Sequence, residues 1–144
     1  MGLLDDYSGT SGIAGLGMSP RPAAQHQFLL LEIAFDIKIK LSKNNLFYKI
    51  ATESCIDLKN LNSKAPDVVV YNTSLIPVMF IEITTSREYN KIITKAREVM
   101  NKYNVFESFI YDYEARKLTK LSGNDNHTSQ LNYSDVLKIE IKFN

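Results

Sequence analysis

Asp67 and Glu82 are the residues through which this 144-residue chain could do chemistry. Asp67 directly follows Pro66 and heads the apolar run V-V-V-Y at 68–71. Glu82 comes near the end of a second run, P-V-M-F-I-E-I at 77–83, with Thr84 two residues beyond it. Hard divalent cations take oxygen ligands, so a sheet that set the two carboxylates side by side would hold Mg²⁺ or Mn²⁺. Thr84 projects on the same side of the strand as Glu82; its hydroxyl could place a water but supplies no cation. The cation candidate is Lys95, at the border of the apolar stripe Ile92, Ala96, Val99 and Tyr103 of a helix expected over 87–102. Lys91 falls farther round that helix, toward solvent. Taken singly, each residue also has a plain structural use. An Asp after Pro serves turns, a Glu can close a solvated strand, and a Lys can snorkel from a helix border.

The order P-D-V-V-V, then a second strand ending E-I-T, then a lysine on the following helix, resembles the PD-(D/E)XK, or restriction-endonuclease-like, nuclease superfamily. In that superfamily the two acids bind magnesium, and a lysine two residues after the second acid assists the attacking water. Thr84 fills that slot here. A subgroup of small restriction-endonuclease-like proteins, abundant in cyanobacteria, departs in the same way and carries its lysine on the helix. Weaker likeness lies in the Pro-x-x-x-His opening at Pro22–His26 and in the terminal S-D-V-L and I-E-I, so the resemblance spans about residues 19–143. It implies that Asp67, Glu82 and Lys95 are catalytic. It implies metal ligation by Asp67, Glu82 and the main-chain carbonyl of Ile83, with Glu32 on the first helix as a further site residue; Thr84 is a further candidate through its own hydroxyl. It implies DNA as substrate, and dimers are common among members. An ion held there would lower the pKa of a bound water and neutralise charge developing on a phosphodiester.

The elements that must position these residues follow in chain order. Residues 1–18 hold five of the six glycines and read as a flexible arm, which could alternatively dock a protein partner through Leu3, Leu4 and Tyr7. Residues 19–144 form the folded unit. A helix is expected over 24–41, apolar nearly all round and therefore buried. Glu32 falls among Phe28, Phe35 and Ile39 at helical spacing; it either joins a ladder through Asp36 to Lys40 or faces the metal site. A strand or hairpin is expected over 46–58, with Glu53 on its solvated face. The runs 68–71 and 77–83 make an antiparallel hairpin around Asn72, Thr73 and Ser74. Ser86 is the expected N-cap of the 87–102 helix, and Asn104 ends it. Strands follow over 105–113 and 116–121, then a polar loop over 122–130. The period-two run 136–143 reads as a half-exposed strand. The whole is an α/β or α+β restriction-endonuclease-like core, a mixed central sheet flanked by helices.

Composition narrows the alternatives. The net charge of +1 sets no global field toward nucleic acid. DNA contact would rest on the local cluster Arg87, Lys91 and Lys102, binding phosphates without reading bases. The single cysteine, Cys55, excludes an internal disulfide and suits a reducing, cytoplasmic setting. Neither histidine is spaced with Cys55 as a zinc set; His26 reads as a surface or capping residue. No apolar run approaches the roughly 20 residues that span a bilayer. Phosphate-binding glycine loops and a G-x-S-x-G elbow are absent. Two further readings stand beside the nuclease: a catalytically inactive nuclease-fold module that binds DNA or protein through its arm, and a small domain with no metal site.

Overall fold

The computed structural model describes residues 23–123, 127–129 and 131–143. The 1–18 arm lies outside them. A six-stranded sheet runs in the order β1 (Lys49–Thr52), β2 (Val68–Tyr71), β3 (Pro77–Thr84), β4 (Glu107–Asp112), β5 (Lys117–Ser122) and β6 (His127–Ser129). Neighbouring pairs are antiparallel except β3 and β4, which run parallel. A parallel pair needs a long crossover, and α2 (Tyr89–Tyr103) supplies it. The other helix, α1 (Ala23–Lys43), opens the described chain. The expected mixed sheet flanked by helices is the fold observed.

The apolar strand runs exist because the sheet is covered on both faces. Val68, Val70, Met79, Ile81, Ile83 and Phe109 pack with Leu30, Ile33 and Ile37 of α1. Val69, Tyr71, Phe80, Ile110 and Leu121 pack with Ala96 and Met100 of α2. Asn104 ends α2 in the left-handed region at φ 59°, its N–H bonded to the Met100 carbonyl. A β-branched residue there would suffer the left-handed strain without Asn's local compensation. Asn104→Val is expected to lower stability by about 1–2 kcal/mol and Asn104→Gly to be tolerated, as read by urea unfolding.

Several expectations are corrected. The α1 helix is not buried all round: Leu30, Ile33, Ile37 and Leu41 face the sheet, while Phe28, Leu31 and Phe35 are 66%, 59% and 66% exposed. The 46–58 strand stops at Thr52, because Glu53 turns into the left-handed region at φ 51°. Ser86 does not cap α2. Its hydroxyl donates to the Asp112 carboxylate at 2.6 Å, a charge-assisted bond made available where β4 lies beside β3, and the helix begins three residues later.

The polar 122–130 stretch contains strand β6, paired with β5. Across 136–143 the alternation survives in burial, with Leu137, Ile139, Ile141 and Phe143 inside. The backbone, however, turns at 135–138 and gives only the two-residue strand β8 (Ile139–Glu140), paired with β7 (Tyr133–Ser134). The turn is pinned from the sheet. Buried Glu107 accepts from the Asp135 N–H at 2.7 Å and from the Ser134 hydroxyl at 2.5 Å. Lys120, buried beside it, donates to Asp135 at 2.7 Å and to the Tyr133 carbonyl at 2.6 Å.

Candidate active site

Registration decides whether two acids 15 residues apart can meet. Next to the turn, Tyr71 pairs with Pro77; beyond it, Val70 pairs with Met79, Val69 with Phe80 and Val68 with Ile81. An extra residue, Val78, is thus accommodated as a bulge. Continuing that register places Asp67 directly across from Glu82. Without the bulge Asp67 would oppose Ile81, and Glu82 would project from the other face. Hydrogen bonds fix the pairing: the Asp67 N–H donates to Glu82 Oε1 at 3.0 Å, and the Ile83 N–H donates to Asp67 Oδ2 at 2.7 Å.

A third acid extends the row. The Glu53 N–H donates to the Asp67 carbonyl at 2.9 Å, so Glu53, Asp67 and Glu82 stand on three adjacent chain segments at one end of the sheet. The first turn of α1 faces them. His26 Nε2 lies 3.2 Å from Asp67 Oδ2, and Gln27 Nε2 donates to Glu53 Oε2 at 3.2 Å. The electropositive start of a helix suits a cluster of anions.

The electrostatics follow from crowding. Burial, and then the adjacent Asp67 charge, push the Glu82 carboxyl up to about 8; a hydrogen bond between the two carboxyl groups adds to the rise. Glu82 therefore keeps its proton at neutral pH. The hydrogen bond to Asp67 raises the His26 pKa against the opposing effect of burial, helped by the charges of Asp67, Glu53 and Glu82. Asp67 Oδ2 already accepts from both His26 and Ile83, so Oδ1 is the Asp67 oxygen left to meet the Glu82 proton or a ligand.

The donor set fits a small hard cation. Both side chains offer oxygen, and a divalent ion displacing the Glu82 proton would offset the repulsion between the two carboxylates. Among the described residues no three His, Cys, Asp or Glu side chains close around one point. An ion held by the two carboxylates would therefore keep several waters, as Mg²⁺ commonly does.

The remaining expected residues lie elsewhere. Lys95 is exposed and lines a groove of about 380 Å³ with Asn60, Asn62, Ser63, Lys64 and Lys102; it makes no ion pair among the described residues. Glu32 is exposed, six residues and roughly 120° round α1 from His26. The ladder weighed for it closes without it, since Asp36 pairs with Lys40 at 3.1 Å. Thr84 is buried and donates its hydroxyl to the Thr85 carbonyl at 3.2 Å. Arg87 and Lys91 are exposed near the start of α2, Lys91 standing 3.7 Å from Glu88. Lys102 lies over the Tyr103 ring at 5.3 Å.

Sequence reasoning set His26 aside as a capping or surface residue, and put Glu53 on a solvated face. The available signal for Glu53 was positional: it follows a strand that pairs with the segment leading from Asp67. For His26 the signal was its place in the first turn of an amphipathic helix four residues after Pro22.

The α+β fold is shared with a solved structure. A protein of Anabaena variabilis, described as a "putative nuclease belonging to DUF820", superposes with a TM-score of 0.61 at 12% identity, covering 86% of this chain and 80% of its own. D212, described as a nuclease from a fusselovirus, gives a TM-score of 0.44 at 18% identity over 74% of this chain and 70% of its own. No protein-family model matches the chain, and no curated protein matches it. Among the described residues no helix is long and apolar enough to cross a membrane.

Proposed function

We propose that the chain is a metal-dependent DNA endonuclease. The observation that carries this reading is the cross-strand Asp67–Glu82 pair, built at the end of a sheet whose fold is shared with the Anabaena protein. Asp67 and Glu82, with the main-chain carbonyl of Ile83, would hold Mg²⁺ or Mn²⁺. Such an ion, when bound, supplies a water of lowered pKa and a counter-charge for the phosphoryl oxygens. His26 orients Asp67 by occupying Oδ2. Lys95 is the cation we assign to assist the attacking water. Arg87, Lys91 and Lys102 hold phosphates without reading sequence, so binding weakens steeply with salt.

The test is cleavage of supercoiled plasmid with Mg²⁺ or Mn²⁺. Nicking that Lys95→Ala reduces supports the roles given. Cleavage that persists in EDTA contradicts them. His26→Ala is expected to weaken Mn²⁺ affinity by about 10–100-fold, the range for residues that orient metal ligands, and His26→Gln to recover part of it. Calorimetric titration reads both; unchanged affinity in His26→Ala rejects the orienting role.

A second reading has its own support. Thr84 occupies the usual lysine slot with its hydroxyl already engaged, and Lys95 lies at a separate groove. On that reading the fold is a catalytically inactive module for binding DNA or a protein partner, docking through residues 1–18. DNA binding without cleavage under any divalent metal, together with partner recovery lost on removal of the arm, would favour it.

A further inference from the structure

We infer that two adjoining grooves beside α2 bind an unpaired stretch of DNA, one taking its phosphates and the other a base; that the polynucleotide is DNA rests on the nuclease reading. The first groove, of about 380 Å³, lies between the 60–64 loop and α2, where Lys64, Lys95 and Lys102 outnumber the one acid, Glu98. The second, of about 560 Å³, is walled by Leu58, Leu75, Ile76 and Pro77, with Lys59 and Asp57 also at its lining. Tyr103 lines both grooves, so they meet at its ring, and the Lys102 ammonium stands over that ring at 5.3 Å from its centroid.

Charge and apolar surface together name the occupant. None of Lys59, Lys64, Lys95 and Lys102 forms an ion pair among the described residues, while Asp57 accepts from the Lys59 N–H at 2.9 Å. That surplus of positive charge asks for an anion. The apolar walls ask for more than a bare phosphate. Leu75 and Ile76 are 51% and 54% exposed, and Leu75 is held in the left-handed region at φ 62°, where Gly or Asn would close the turn with less strain. The turn therefore does not account for the leucine. A nucleotide of an unpaired strand joins a charge to a flat π-face, the combination that single-strand sites hold with cations and aromatic rings. A duplex shows only base edges in its grooves; it would meet the lysines and leave the second groove empty. The first groove also starts near the acid pair. Lys64 is three residues before Asp67, at most about 11 Å of chain, and α2 returns along the sheet from the end of β3 to the start of β4, carrying Lys95 and then Lys102 away from Glu82.

Fluorescence anisotropy of the full chain in EDTA tests it, because binding is then read without metal or cleavage and its failure is separate from failure of the nicking assay. The probes are a labelled single-stranded DNA of about 12 nucleotides, an abasic oligomer of the same length, the matched duplex, the matching RNA and a polyglutamate peptide. The wild type is expected to bind the single strand at least about fivefold more tightly than the abasic oligomer or the duplex, the low end of the range for one base held at an aromatic ring. Tyr103→Leu and Leu75→Asn, the latter suited to the left-handed backbone, are expected to erase that margin with circular dichroism unchanged. Lys102→Ala is expected to weaken the single strand and the abasic oligomer alike. The comparison of probes on the wild type decides even where a variant fails to fold. An abasic oligomer or a duplex bound as tightly as the single strand overturns the inference, as does RNA or polyglutamate bound more tightly than the DNA.

Discussion

Replacing Glu82 by Gln is expected to raise the thermal midpoint of the metal-free protein at pH 8 and above, and to change it little near pH 5. The folded carboxyl titrates at about 8 against an ordinary value of 4.5, with burial as the leading cause and the Asp67 charge next. Below 4.5 it is protonated in both the folded and unfolded chain. Between 4.5 and about 8 the folded state holds a proton that the unfolded state releases, so stability falls as pH rises and levels off above the folded value. The cost is about 2–4 kcal/mol, or roughly 5–15 °C in a chain of this length. A neutral amide escapes it, and can still accept from the Asp67 N–H. The same proton opposes metal binding, so Mn²⁺ affinity should rise with pH up to about 8 in the wild type. Midpoints of wild type and Glu82→Gln that run parallel from pH 5 to pH 9 would remove the strained carboxyl from the account.

Asp67→Asn is expected to abolish metal-dependent cleavage by more than about 100-fold, beyond the range for a merely supporting residue. The substitution keeps the shape and still accepts from the Ile83 N–H. It removes the charge that His26 pairs with and that a cation would need. Because Asp67 is partly exposed, its effect on the thermal midpoint should be small beside its effect on plasmid nicking and on the Mn²⁺ isotherm. Full activity in Asp67→Asn would place the chemistry, if any, elsewhere in the molecule.

Much of this site was legible because a hairpin leaves little choice. Two apolar runs around Asn72, Thr73 and Ser74 have to pair, and pairing brings 67 and 82 to the same end. The Asn72 side chain closes the turn by accepting from the N–H groups of Ser74 and Ile76. What the pattern could not supply was the bulge at Val78, on which the shared face of the two acids depends. His26 was hidden for another reason. Its reach to Asp67 depends on where α1 crosses the sheet, and helix periodicity says nothing of that. The apolar outer face of α1 misled for the same cause: the sequence marks Phe28 and Phe35 as apolar without saying what covers them. At the C-terminus the alternation correctly predicted which side chains go inside. The backbone differs because Glu107 and Lys120, distant in sequence, hold residues 133–135 against the sheet just where the 135–138 turn begins.

The most direct measurement is anomalous diffraction from crystals of the protein grown or soaked with Mn²⁺. The account predicts one ordered ion between the Asp67 and Glu82 carboxylates, lost in crystals of Glu82→Gln. An ordered Mn²⁺ bound only elsewhere, with Asp67 still closed on His26 and Glu82, would contradict it.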